Sequence, residues 1–453
     1  MPAAYHPAGG FEAETFPFAF RPRFGNVGSK FMKAAIRPLT ATIACLAATL
    51  FLAHRAAAAP GDWPEFRGPN RDGLSREAGL LKAWPEGGPA LAWRVNGLGD
   101  GYSGIAVVGN TLYTAGDKGD ASFALALKRE NGAPIWSAKI GKAGAVGSPK
   151  FEGPRGTPTV DGDLVFVLGQ WGELVCLEAA SGKEVWRKDL VNDLGGTLPA
   201  WGYAESPLVD GDNVIVTPGG DKGTIAALNK KTGAITWRST GFTDAAHYSS
   251  LIAVNYGGVR QYVQLTPASV AGVAAADGKL LWRAPRKGQV AVIPTPIFDN
   301  GLVFVTSSYG VGCNLFKVTA ADGKFTAEQV YANKVMANHH GGVIKVGDFL
   351  YGYSEGKGWT CQDFKTGEAK WQEKEKLGKG SLAFADGHFY LRQEGSQGQV
   401  VLIEASPEGF KEHGRFPQPD RSSKNSWAHP VIAGGKLYLR DQDLLLCYDI
   451  KAK

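Results

Sequence analysis

The chain has 453 residues, 44% hydrophobic and 20% charged, a balance that suits a globular protein with a large buried core. The formal net charge is +6, but residues 1–59 hold Arg21, Arg23, Lys30, Lys33, Arg37 and Arg55 against Glu12 and Glu14, so the rest of the chain carries only about +2. That near-neutral body excludes nucleic-acid binding by bulk electrostatics.

The N-terminal region reads as an export signal. Lys33 and Arg37 precede an apolar stretch from Leu39 to Ala53, and Ala56-Ala57-Ala58-Ala59 supplies a small-residue cleavage site. The expected start is Met32, because residues 1–31 look like neither signal nor fold. Cys45 follows Thr42-Ile43-Ala44, a poor lipoprotein site, so simple cleavage near Ala59 is expected. The apolar core is too short for a confident membrane span, and no second one follows. The reading is a protein of the periplasm or the exterior, with no transmembrane span once cleaved. Its organisation is an upstream segment and signal over 1–59, an N-terminal extension over 60–90, and a repeat domain over 91–453.

From Tyr102 onward one pattern recurs. A small or polar residue leads an apolar run, then a Gly-containing turn, an alternating strand, a third strand, an Asp/Thr-Gly turn, and a strand ending in Trp. Thr157–Trp186 and Ser206–Trp237 show it best. Asp161-Gly162, Asp210-Gly211, Asn300-Gly301 and Asp386-Gly387 are hairpin turn signals. Val165-Phe166-Val167, Val214-Ile215-Val216 and Val303-Phe304-Val305 have the β-branched and aromatic content of buried strands.

Trp93, Trp136, Trp186, Trp237, Trp282 and Trp371 mark repeat ends at gaps of 43, 50, 51, 45 and 89 residues, the last being two units with Val330-Tyr331 where a Trp would stand. Units beginning at Ser103, Thr157, Ser206, Ser249, Thr295, His340, Ser381 and His429 make eight. Four strands per unit at this period predict an all-β, eight-bladed β-propeller of four-stranded antiparallel blades. The last unit stops at Ile450 without its Trp-bearing strand, while Leu91–Val95 is a spare strand before the first unit. Pairing the two closes the ring and removes two exposed sheet edges.

An exported protein can pair its cysteines, but register argues otherwise here. Cys176, Cys361 and Cys447 occupy the repeat position filled elsewhere by Ala126, Ala227 and Gly272, a small packed strand site. Buried free thiols are expected, Cys313 included, and with no C-x-x-C pair sulfur-bound metal is not.

The runs ALNKKTGAITW, CLEAASGKEVW and GVAAADGKLLW resemble the tryptophan-docking repeats of the quinoprotein (pyrroloquinoline-quinone-type) propeller superfamily. WPEFRGPNRDGLS, from Trp63 to Ser75, is similar to the N-terminal segment of secreted members of it. The resemblance covers about residues 60–453. It implies that the repeat Trp side chains pack blade on blade. The superfamily includes dehydrogenases that seat the quinone in the central funnel, with Ca²⁺ held through Glu, Asn and Asp and an Asp as base. It also includes non-catalytic members, among them the propeller lipoprotein that assists outer-membrane protein assembly. This chain lacks the adjacent cysteine pair and the long insertions of the alcohol dehydrogenases.

In a propeller the residues leading each innermost strand ring one channel mouth. Here they are polar and aromatic. Tyr102, Arg155, Glu205, His247, Tyr248, His339, His340, Lys379, Trp427 and His429 are the candidate ligand-binding set. Competing roles stand beside this one. Ser and Thr before Pro at strand starts bond to backbone. His339 and His340, if on a strand, point to opposite faces and do not share a metal. Arg155, Glu205 and Lys379 either bind ligand or neutralise one another around the channel. Glu205 with His247 would make an acid/base pair, but no nucleophile motif accompanies them.

The leading expectation is an exported binding module or scaffold without a cofactor, a monomer whose partner is a small polar ligand, a glycan or an envelope protein. One alternative is a dehydrogenase of alcohols or sugars using pyrroloquinoline quinone and Ca²⁺. The other is an envelope assembly factor similar to the propeller lipoprotein. Fold alone does not choose among them.

Overall fold

The computed structural model describes residues 59–148, 151–395 and 397–453. The expected signal and the start at Met32 lie outside the described residues. The described chain contains strands and turns and no helix.

Eight antiparallel sheets follow one another along the chain and form the blades. Blade 1 comprises Ala106–Val108, Thr111–Lys118, Ala121–Lys128 and Pro134–Lys142. Blade 8 comprises Val431–Ala433, Lys436–Asp441 and Leu444–Asp449, and its fourth strand is Ala90–Val95, antiparallel to Leu444–Asp449 with Trp93 opposite Cys447. The predicted closure of the ring by the N-terminal strand is therefore present, and it begins one residue earlier than read. Eight clusters of buried apolar side chains fill the eight seams between blades. One joins Phe166 and Val175's neighbour Cys176 to Val209, Val214 and Leu228 across blades 2 and 3.

The repeat Trp residues explain why the blades lock in register. In seven of the eight outer strands the ladder slips by one residue just before the aromatic, as between Glu184 and Trp186. Such a bulge swings the ring toward the neighbouring blade. Nε1 of Trp136 donates to Ala179 O at 2.9 Å, of Trp186 to Lys230 O at 2.9 Å, of Trp237 to Ala275 O at 3.0 Å and of Trp371 to Ser406 O at 2.9 Å. Each acceptor lies at the last turn of the next blade. The turn glycine there lies under the ring: a Cβ on Gly233, at φ +70°, would come within 2.8 Å of the Trp186 indole. Tyr331 takes the Trp position in blade 5, and its hydroxyl donates to Phe364 O at 3.0 Å. Trp282 differs. Its Nε1 donates within its own blade to Gln261 Oε1 at 2.9 Å, and the hydroxyl of Tyr256 donates across the seam to Val318 O at 2.9 Å instead. A Cβ at residue 272 would lie 2.2 Å from Trp282 Nε1, which accounts for glycine where other repeats carry Ala or Cys. Cys176, Cys361 and Cys447 do sit opposite Trp186, Trp371 and Trp93, and they and Cys313 are buried free thiols.

The segment ahead of the closing strand does something the repeats do not announce. Residues 60–77 run through the central channel and reach seven of the blades at or beside their first strands. Trp63 bridges Val107 of blade 1, and Val160 N of blade 2 donates to Pro64 O at 2.9 Å. Arg71 donates to Ser206 O of blade 3 at 3.0 Å and Leu251 O of blade 4 at 3.0 Å, and Arg67 donates to Val343 O of blade 6 at 2.6 Å. Leu74–Ser75 adds a fifth, parallel strand to blade 7 beside Phe384 and Ala385. Glu77 Oε2 accepts from Gly435 N of blade 8 at 2.6 Å. Inside the segment Arg71 Nε pairs with Glu65 Oε2 at 2.7 Å, both side chains almost fully buried. The chain then leaves along the seam of blades 7 and 8, where Trp84 packs on Tyr390 and Phe416. Burying so many carbonyls without a donor would be costly. The two arginines supply the donors.

Candidate functional site

The channel segment divides the central channel. Above it lies a cavity of about 200 Å³ whose floor is Trp63, Phe66, Arg67 and Gly73 of that segment. The wall comes from the residues leading the first strands and from inter-blade loops. Tyr102, Arg155, Tyr248, His339, His340, Trp427 and His429 all line it; Glu205, His247 and Lys379 do not. Phe151, Trp201 and Tyr309 also line it and were not among the expected residues. Phe151 and Trp201 sit on loops between blades, and Tyr309 on the loop joining the second and third strands of blade 5, Leu302–Ser307 and Gly312–Ala321.

Trp427 is the centre of the wall. Its ring lies 4.3 Å from Tyr102, 5.1 Å from Phe151 and 5.6 Å from His340, centroid to centroid. On one side Arg155 Nη2 donates to Phe151 O at 2.7 Å, while Nη1 is buried without a partner. Burial lowers the pKa of this guanidinium. On the other side the Glu394 carboxylate accepts from His340 Nε2 and from Trp427 Nε1, the latter at 3.1 Å. With Nε2 so engaged, Nδ1 of His340 is left buried and unpartnered.

His339 and His340 both face this cavity, which corrects the expectation that they point apart. They lie in the connection ahead of Val343–Val346, not on the strand, so strand alternation does not apply. The Lys379 ammonium donates to His339 Nδ1 at 2.7 Å, which places the ring proton on Nε2, 3.1 Å from the Tyr309 hydroxyl. Burial, with His340 and Lys379 adding to it, pushes the His339 pKa down to about 3. His429 Nε2 bonds His340 O at 2.9 Å, and burial beside Arg67 takes its pKa to about 3 as well.

The three residues outside the lining have other partners. Lys379 pairs with Glu355 at 2.5 Å. His247 Nδ1 accepts from Val292 N at 3.1 Å, and burial lowers its pKa to about 4. Glu205 Oε1 accepts from Thr217 N, Oε2 is unpartnered, and burial raises the pKa to about 7. Arg155, Glu205 and Lys379 thus do not neutralise one another, and Glu205 and His247 do not form an acid/base pair. The leading Ser and Thr residues do bond to backbone: Ser103 Oγ donates to Gly156 O at 2.8 Å, and Ser206 Oγ accepts from Thr157 N at 2.9 Å.

These shifts predict opposite pH responses. Native Glu205 keeps its proton between about 4.5 and about 7, where the unfolded chain has lost it, so its contribution to stability falls as pH rises through that window. Glu205→Gln should gain on the parent there by up to roughly 1.4 kcal/mol per pH unit. Urea unfolding at pH 5 and pH 7.5 reads the difference, and an equal effect at both would contradict it. His247, His339 and His429 act the other way. The unfolded chain takes up protons below about 6.5 that the native rings refuse, so stability falls as pH drops from there toward 4 and 3.

A quinone with Ca²⁺ does not fit these residues. Among the described residues no group of three or more His, Cys, Asp or Glu could hold a metal ion. Glu394 is committed to His340, Trp427 and Lys379, and Asn338 uses its amide on Tyr353 O and Gly342 N. Asp117, beside Asp100, takes Ser122, Gly144 and Gln170.

Comparison with known proteins bears on the same question. The family profile described as outer membrane protein assembly factor BamB matches residues 124–373, from the third strand of blade 1 to the end of blade 6. Proteins of that name are similar to the chain in sequence. The one from Xanthomonas campestris pv. campestris is 27% identical over 226 residues, 50% of this chain and 49% of the relative. The one from Escherichia coli is 28% identical over 173 residues, 38% and 37%. The chain thus spans about half the length of the curated relatives it matches, or less. Two solved structures share the fold. BamB from Moraxella catarrhalis has a TM-score of 0.55 at 15% identity, covering 80% of this chain and 97% of that one. Quinohemoprotein alcohol dehydrogenase from Comamonas testosteroni has a TM-score of 0.60 at 13% identity, covering 88% and 82%.

Proposed function

The chain belongs to the PQQ-repeat propeller family described as outer membrane protein assembly factor BamB, and from that membership we propose that it is an envelope assembly factor working through protein partners. The observation that carries this reading is the family match across blades 1 to 6. It favours the assembly-factor alternative over the generic ligand-binding scaffold. The site agrees with it. His339, His340, Lys379, Glu394 and His429 are tied to one another or to backbone, which leaves a rigid rim suited to docking. No helix among the described residues is long and apolar enough to cross a membrane. In this reading the assembly role comes from docking to proteins of the envelope.

The bulges that aim the Trp rings inward also turn apolar residues outward. Ile135 is 44% exposed, Val185 42% and Val330 50%. Photo-crosslinking residues placed at these three positions, in cells of the native host, test the proposal. The expected result is crosslinks to outer-membrane proteins or to proteins that insert them. Folded protein that gives no crosslink from any position, or crosslinks only to itself, would count against it.

A further inference from the structure

We propose that the cavity above the channel segment binds an apolar, preferably aromatic, N-acylamino carboxylate: the chemistry of a peptide's C-terminal residue or of a free N-acylated amino acid. This goes beyond the assembly role and stands or falls separately from it.

Three features carry the inference. The first is the wall, where Tyr102, Phe151, Trp201, Tyr248 and Trp427 present ring faces and edges around a space of about 200 Å³. An apolar cavity of roughly 150 Å³ is enough to hold a benzene ring. The second is Arg155. Three guanidinium nitrogens among the described residues are buried without an acceptor, on Arg155, Arg286 and Arg421, and only Arg155 lines this cavity. Its Nη2 is held by Phe151 O, so the side chain is fixed while the Nη1 amino group donates to nothing. A buried, unmatched guanidinium N–H favours a carboxylate above any neutral acceptor. The third is His340, whose ring lies 5.6 Å from Trp427, the ring that also neighbours Phe151, Arg155's acceptor, at 5.1 Å. Glu394 engages its Nε2, and in the neutral ring Nδ1 is a buried lone pair that calls for an N–H. One carboxylate to receive from Arg155, one amide N–H to give to His340, and a ring to fill the aromatic space are together found on an N-acylated aromatic amino acid. A quinone with several carboxylates would ask for more free cations than the cavity provides.

The test is calorimetric titration of the full chain with four probes: N-acetyl-phenylalanine, a tetrapeptide ending in phenylalanine with a free carboxylate, the same tetrapeptide as its C-terminal amide, and 3-phenylpropanoate. Saturable binding of at least one of the first two is expected. If only the tetrapeptide binds, the natural source is a peptide end; if only the amino acid, a free metabolite. The amide should bind roughly 10- to 100-fold more weakly, the range for a lost charged hydrogen bond, and 3-phenylpropanoate should also fall behind for want of the N–H. Arg155→Met should abolish the preference for carboxylate over amide, and Arg155→Lys should keep part of it. Thermal melts of both variants separate lost binding from lost folding. If the amide binds as well as the acid in the unmodified chain, or neither carboxylate binds, the proposal is wrong even if Arg155→Met does not fold. If 3-phenylpropanoate matches N-acetyl-phenylalanine, the role given to His340 is wrong.

Discussion

Arg71→Ala is expected to lower the stability of the described body by about 3–5 kcal/mol, the range for removing one partner of a buried ion pair. Arg71 Nε meets Glu65 Oε2 at 2.7 Å, with side chains 2% and 0% exposed. Its other nitrogens satisfy carbonyls of Ser206, Pro207 and Leu251 on two blades. Truncation removes those donors together and takes the Arg71 guanidinium from the buried Glu65 carboxylate. The loss should be partly recovered by adding Glu65→Gln, because a neutral amide costs less to bury than a charge. Denaturant unfolding of the single and double variants measures it. Hydrogen exchange adds a local readout: the Phe384 amide, which donates to Gly73 O at 3.0 Å, should lose protection when the channel segment loosens. A change below about 1 kcal/mol would show that the segment is laid over the ring and does not brace it.

Trp186→Ala should cost a similar amount, about 3–5 kcal/mol, because it empties a core position and removes a bond between blades. The ring is 9% exposed, lies over Gly233 and donates to Lys230 O at 2.9 Å. Trp186→Phe keeps most of the volume and loses the donor, so it should cost about 1–2 kcal/mol. Gly233→Ala attacks the same contact from the other side. It places a Cβ 2.8 Å from the indole at a φ of +70° and should destabilise by about 1–3 kcal/mol. Combined with Trp186→Ala its cost should shrink, since the clash is gone, and a double-mutant cycle reads that coupling. Additive losses would mean that ring and glycine do not work as one lock.

The propeller was legible because each blade must bury both faces, and only a narrow pattern does so. Alternating apolar strands, an Asp-Gly or Asn-Gly hairpin and a Trp at a fixed offset recur in the sequence at the blade period. Even the substitution of Trp by Tyr331 was readable, and its hydroxyl makes the bond across the seam that an indole N–H makes elsewhere. The channel segment was not legible in the same way. Arg67 and Arg71 adopt φ of +62° and +57° and bond to carbonyls scattered over blades 3, 4 and 6. No period in the sequence reports such contacts. Two arginines in a short segment free of strand alternation were the one visible hint. For the cavity, repeat register placed the residues leading the first strands but not the direction of each side chain. Glu205 turned to Thr217 N and His247 to Val292 N, while Phe151, Trp201 and Tyr309 entered from loops that the repeat does not constrain.

The assembly role is tested most directly by removing the chain from its native host and quantifying the proteome of each envelope layer, with and without a plasmid copy. The role predicts that integral β-barrel proteins of the outer membrane fall as a class, that periplasmic and inner-membrane proteins hold steady, and that the plasmid copy restores the deficit. Unchanged β-barrel levels in cells that have demonstrably lost the chain would contradict it.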